Sequence, residues 1–142
     1  MMKLLRIILL FLIGTSCNSN AKTTTDILQN QEASQLKDSI KRGKTVYNDM
    51  CITCQMANGE GVLRAFPPLA ESDYLRDNQT KSIKGVKKGM SGEIVVNGIT
   101  YNGVMAPLGL SDDEVADVMN YINNSCKNDI DNFVTPEKVS KL

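Results

Sequence analysis

The sequence predicts a small, all-α domain interrupted by one short β-hairpin, and three observations carry that expectation. An apolar stripe of Val115, Val118, Met119 and Ile122 recurs at helical spacing behind the capping box Ser111-Asp112-Asp113-Glu114. A second set with helical spacings runs through Leu36, Ile40, Val46, Tyr47 and Met50. Between them, Asn97-Gly98 joins two short apolar runs, the pair best suited to a type I′ turn because both positions need positive φ. No alternation of strands and helices points to a parallel sheet.

Taken in chain order, Ser34–Met50 is expected as the first helix, although Gly43 weakens its interior. Cys51–Leu69 reads as a loop punctuated by Gly59, Gly61, Pro67 and Pro68. Ser82–Gly89 suggests a short helix, with Ile83 and Val86 three apart and Lys87 and Lys88 near its end. Glu93–Val96 and Ile99–Tyr101 are the expected strands. The last helix begins at Ser111, with Leu110 and Val115 placed as a hydrophobic staple, and ends near Asn124–Cys126.

Composition bounds the function. A chain of 142 residues suits one domain. Sixteen basic residues balance sixteen acidic ones, so there is no basic face to bind nucleic acid. Histidine is absent, which excludes a Ser-His-Asp triad, a Cys-His pair and any His-ligated zinc. A metal could draw only on Cys, Met, carboxylates, amides or backbone.

Met1–Ser16 reads as a signal peptide: Lys3 and Arg6, the apolar run Ile7–Ile13, then Gly14-Thr15-Ser16. Small residues ending at Cys17 resemble a lipobox, making Cys17 the expected lipid anchor; ordinary signal cleavage beside a stray cysteine is the alternative. Without Lys3 and Arg6, fourteen bases face sixteen acids, a charge near −2. Export on the periplasmic side of a bacterial membrane would place the other cysteines where disulfides can form. Residues 17–35, rich in Asn, Ser, Thr and Gln, lack the apolar surface to offset ordering entropy and read as a flexible stalk. The domain itself is expected over residues 36–136, with 137–142 as a tail.

Cys51-Ile52-Thr53-Cys54 is the strongest chemical signal, and four readings compete for it. A thioredoxin-like dithiol wants a helix N-terminus beside a βαβ unit. A zinc knuckle wants a second ligand pair, and only Cys126 remains in the domain. A plain disulfide suits an exported chain. Thioether attachment of haem has the signature Cys-x-x-Cys-His, and here Gln55 follows Cys54.

Further blocks follow in order: Val46-Tyr47, Asn58-Gly59-Glu60-Gly61, Phe66-Pro67-Pro68-Leu69-Ala70, Ser72-Asp73-Tyr74-Leu75, Val96-Asn97-Gly98, Tyr101-Asn102-Gly103-Val104-Met105 and Leu110 to Val118. With the cysteine pair, these resemble the class I mono-haem c-type cytochromes, above all the bacterial domains that serve respiratory oxidases, copper nitrite reductases and related dehydrogenases. The likeness covers about residues 36–136.

That resemblance implies a cytochrome c-like helical fold around one covalent haem c, and an electron carrier, not an enzyme, that meets respiratory or periplasmic redox proteins. It makes Cys51 and Cys54 the thioether anchors and Met105, in a loop after the hairpin, the distal ligand, with Met90 as its rival in an exposed turn. Pro67 and Pro68 would border the proximal side. Phe66, Leu69, Leu75, Val104 and Ile122 would line an apolar pocket. Two departures accompany the likeness. Gln55 stands where the family has its proximal histidine, and Cys126 stands near the place of a tryptophan, where it reads as a small buried hydrophobe. Three outcomes therefore stay open: haem held by Met105 alone or with Gln55 as a weak donor, a more open iron that binds small ligands or peroxide, or a haem-poor domain that serves as a binding or structural module with its cysteines as a disulfide.

Overall fold

The computed structural model describes residues 20–142; the expected signal peptide and the lipid anchor Cys17 lie outside the described residues. The chain divides into two units, Met1–Glu32 and Ala33–Leu142. Helix α1 runs Asn20–Val46 and so begins fourteen residues before the expected start at Ser34. Residues 20–35, read from composition as an unstructured stalk, are helical instead. They contain neither Gly nor Pro, and Ala21, Gln29, Gln31, Glu32 and Ala33 favour helix, so nothing local stops the helix. Ile27 and Leu28 stay exposed there.

In the second unit, α1 does not continue regularly to Met50. Tyr47–Cys51 form one π-helical turn, in which the Ile52 N–H donates to the Tyr47 carbonyl. The extra residue in the turn rotates the helix surface. Tyr47 is completely buried, whereas Met50 is exposed and leaves the expected stripe. Ser39 and Gly43 of α1 and Tyr47 of the π-helical turn, four apart, form one buried face. Gly43 meets α5 so closely that a Cβ on it would lie 1.9 Å from the Asp117 carbonyl oxygen. A residue that weakens a helix in isolation is here the point of closest helix–helix approach.

The short helices α2 (Ile52–Gln55), α3 (Asp73–Asp77) and α4 (Gln79–Lys88) follow. Ser72 caps α3, its hydroxyl accepting from the Leu75 N–H. Strands β1 (Met90–Val96) and β2 (Ile99–Met105) pair antiparallel from Met90↔Met105 to Val96↔Ile99. Asn97 and Gly98 have φ of 51° and 75°, both positive as a type I′ turn demands. The hairpin is longer than expected at its base, because its pairing reaches back to Met90.

Helix α5 (Asp112–Asn123) carries the capping box in full: the Ser111 hydroxyl accepts from Glu114 N–H, and Glu114 accepts from Ser111 N–H at 2.8 Å. Its stripe Val115, Val118, Met119 and Ile122 is buried as expected and forms the core with Tyr47, Leu75, Ile83, Val134 and Val139. Residues 137–142 are not a tail. Helix α6 (Pro136–Ser140) places Val139 fully inside that core, and Lys87 Nζ donates to its carbonyl at 2.9 Å.

A buried polar seam ties α1, α5 and the C-terminal segment together. Asp117 accepts from Ser39 Oγ at 2.6 Å and from Arg42 Nε and a terminal guanidinium nitrogen at 2.6 and 2.7 Å. Asn120, fully buried, donates to Ser39 Oγ and to the Val134 carbonyl and accepts from the Val134 N–H, each at 2.8 Å. Its amide thus satisfies a backbone segment that no regular element pairs.

Candidate functional site

The site is built around α2. The π-helical turn delivers Cys51 at its end, and α2 carries Cys54 and then Gln55. Tyr47, one turn earlier, donates its hydroxyl to the Met56 carbonyl at 2.7 Å and lies 3.5 Å from the Gln55 carbonyl. Burial, then the neighbouring Cys126 and Cys51, raises the Tyr47 hydroxyl well above its ordinary value, so it stays a donor. Its ring packs on Tyr121 of α5, centroids 5.2 Å apart. The cysteine segment is therefore pinned to the helix crossing by one buried aromatic, whose hydrogen bonds no sequence pattern displayed.

Met56 turns the chain at φ 62°, and the loop folds back. Gly61 N–H donates to the Gln55 carbonyl at 3.1 Å; Leu69 and Ala70 N–H both donate to the Gly59 carbonyl at 2.8 Å. A Cβ on Gly59 would fall 2.8 Å from Cys126 Sγ, and one on Gly61 would fall 2.4 Å from the Phe66 carbonyl oxygen and 2.9 Å from that of Pro67. Both glycines thus mark close approach of the loop to its neighbours. Asn128 Nδ2 donates to the Leu69 carbonyl at 2.8 Å and holds the far end.

Cys51, Cys54 and Cys126 are free thiols. Burial, and then Cys54, pushes the Cys51 thiol up to about 11. Burial also raises Cys126, the half-buried thiol under the loop. Among the described residues, no three of His, Cys, Asp and Glu cluster as a metal site.

Met105 is the last residue of β2, not part of a loop beyond the hairpin, and Met90 opposite it is the first of β1, not part of an exposed turn. Strand pairing puts both side chains on one sheet face, with Ile94, Tyr101, Val96 and Ile99. The Met90 sulfur packs on α4, 3.1 Å from where a Gly85 Cβ would sit. Val104 takes the other face by alternation and is 82% exposed, so it cannot line a pocket with Met105. The expected pocket set divides accordingly: Leu75 and Ile122 belong to the core, Leu69 packs against it, and Phe66 is exposed.

Sequence reading missed the apolar surface beside the cysteines. Met50, Ile52, Met56, Val62, Leu63 and Phe66 all bare apolar area within seventeen residues of chain that include both thiols. Such a concentration marks a binding surface more than an ordinary exterior. Among the described residues, the buried side-chain polar atom without a hydrogen-bond partner is Gln55 Oε1. Two free thiols three apart suit double thioether attachment, bared apolar side chains suit a porphyrin, and a thioether and an unpartnered amide oxygen are available donors. These residues fit a haem c, with oxygen in place of the nitrogen that an imidazole would offer.

Comparison with known proteins places the chain in a family. The model of the cytochrome c family matches residues 40–125. Cytochrome c-552 of Thermus thermophilus is 39% identical over 77 residues, which are 51% of this chain and 59% of that protein. The cytochrome c subunit of the quinone alcohol dehydrogenase of Gluconobacter oxydans is 27% identical over 114 residues, 70% of this chain and 21% of the subunit; that of Gluconacetobacter polyoxogenes is 32% identical over a stretch of the same length. The chain thus spans little more than half of the cytochrome c-552 and about a fifth of the dehydrogenase subunits.

Proposed function

The chain belongs to the cytochrome c family, and from that premise we propose that it is a one-electron carrier with a single haem c joined to Cys51 and Cys54. Met105 would supply a thioether donor to that group, and Gln55 an amide-oxygen donor. The bound group supplies an iron centre that changes oxidation state by one electron. The chain does the rest. Tyr47 and the loop hydrogen bonds hold the two thiols and Gln55 in one rigid segment. The hairpin presents Met105, and Met50, Ile52, Met56 and Phe66 offer apolar contact that keeps water away.

The observation that carries this reading is the unpartnered Gln55 Oε1 directly after the thiol pair. A buried amide oxygen without a partner is costly unless a donor or a metal meets it. An amide oxygen is a harder, weaker donor to haem iron than imidazole nitrogen. With Gln55 in the histidine's position, the donor this chain would offer there is weaker than an imidazole.

The carrier is proposed as an exported lipoprotein, tethered through Cys17 on the periplasmic side and serving a respiratory or periplasmic redox protein. No helix among the described residues is long and apolar enough to cross a membrane. The dehydrogenase subunits among its relatives support a partner of that class. Carriage is the role proposed, on the strength of the family match.

Pyridine haemochrome analysis of protein exported with the cytochrome c maturation machinery tests the proposal. One haem per chain is expected, and Gln55→His should convert it to a low-spin, Met–His form. Protein that folds with no haem, its Cys51 and Cys54 joined to each other, would refute the carrier and leave a docking module with the family fold. That module is the second reading, favoured by Gln55 standing where the attachment signature has histidine.

A further inference from the structure

Two separate contacts fix where the end of β2 sits. At the base of the hairpin, Gly89 follows α4 with φ +77°, and a Cβ there would lie 2.5 Å from the Met105 carbonyl oxygen and 2.9 Å from both N and Cδ of Pro107. Only a residue without a side chain lets α4 turn into β1 while the departing Met105–Pro107 backbone lies against it. At the tip, Asn97 and Asp73 form a reciprocal clasp: Asn97 N–H donates to Asp73 Oδ1 at 2.7 Å, and Asp73 N–H donates to Asn97 Oδ1 at 3.0 Å. The antiparallel register from Val96↔Ile99 to Met90↔Met105 joins the two points through one continuous ladder.

The geometry points to Gly89 as a positioning residue for Met105, with the Asp73–Asn97 clasp as its counterpart at the far end of the same hairpin. This role rests on the reading of Met105 as the thioether ligand. Gly89 itself touches no iron; it sets the path of the Met105 backbone, and through it the reach of the sulfur. Displacing that backbone weakens the sulfur–iron bond without changing a ligand.

Gly109 supplies the control. Its φ of +72° nearly equals that of Gly89, but a Cβ on it meets nothing within 4 Å. Gly109→Ala therefore imposes the same backbone strain with no contact on the hairpin. In haem-loaded protein, Gly89→Ala should lose most of the ferric methionine–iron charge-transfer band and bind cyanide on the order of tenfold faster, as a weaker methionine bond requires. Gly109→Ala should match the wild type in both. Asp73→Ala removes the half of the clasp that the carboxylate accepts from Asn97 N–H, and the Asp73 contact with Tyr74 N–H, while leaving the Asp73 N–H bond to Asn97 Oδ1 and adding no bulk. It should shift both readouts in the same direction by a smaller factor, and it decides the matter if Gly89→Ala does not fold. Equal band intensity and cyanide rate in Gly89→Ala and Gly109→Ala, at equal haem content, would overturn the positioning role alone. Wild-type protein that carries haem but shows no methionine band would overturn the assignment of Met105, and this role with it.

Discussion

Replacing Gly43 with alanine sets two effects of opposite sign against each other. In an isolated helix the change favours folding by about 1 kcal/mol, because alanine loses less backbone entropy. At the crossing of α1 and α5 it does the reverse. The new Cβ would sit 1.9 Å from the Asp117 carbonyl oxygen, 2.4 Å from its carbon and 2.9 Å from Tyr121 Cβ, against 3.4 Å for ordinary contact. Two of those atoms are backbone, so no rotamer change relieves them; the helices must part by roughly 1.5 Å. Overpacking of this kind costs ~1–3 kcal/mol. Parting the helices also stretches the bonds of Ser39 and Arg42 to Asp117, each worth about 1 kcal/mol. Packing outweighs propensity, leaving a net loss of about 2–4 kcal/mol, or roughly 10–20 °C in Tm for a unit of this size. Urea unfolding followed by far-ultraviolet circular dichroism, with a thermal melt, measures it. An alanine variant as stable as the wild type, or more so, would show that the helices do not meet at residue 43.

Other outcomes follow from single groups. Asn120→Ala leaves the buried Val134 N–H and carbonyl unpaired and should cost about 2–4 kcal/mol in urea unfolding. In haem-free protein, iodoacetamide labelling of Cys51 should climb with pH, reach half its maximal rate near 11 and level off only above it, as peptide mapping would show. Because its folded value lies above the ordinary thiol value of 9.0, Cys51 favours the folded state while neutral, and that contribution is lost as pH rises from 9.0 towards 11. Ser111→Ala should destabilise by about 1 kcal/mol at neutral pH. Hydrogen bonds from Ser111 hold Glu114 below its ordinary value, so the cap's stabilisation is present above pH 4.5 and fades as acid protonates the carboxylate. The gap between the two proteins should therefore narrow in acid.

The parts of the fold that were legible are those whose signals are local. The capping box specifies its own hydrogen bonds within four residues, so the start of α5 needed no tertiary information. Asn97-Gly98 names its turn for the same reason. The π-helical turn carried no local mark and rotated Met50 out of the expected stripe. The candidate site was legible in chemistry but not in arrangement. Cys51, Cys54, Gln55 and Met105 could be named from the chain, whereas placing Val104 beside Met105 failed because strand alternation sends them to opposite faces. Reading 137–142 as a tail failed because Val139 looks ordinary in sequence and is buried only by the tertiary core it enters.

By itself the sequence determined the chemistry this chain can perform: two thiols, thioethers, an amide and no imidazole, with helices and a hairpin whose ends are written in short-range hydrogen bonds. Tertiary structure alone decided why Gly43 and Gly89 are glycines, which methionine packs on α4, and that Gln55 keeps a buried oxygen without a partner. Those outcomes depend on atoms far apart along the chain being brought within contact distance. No local propensity encodes such distances; close packing sets them.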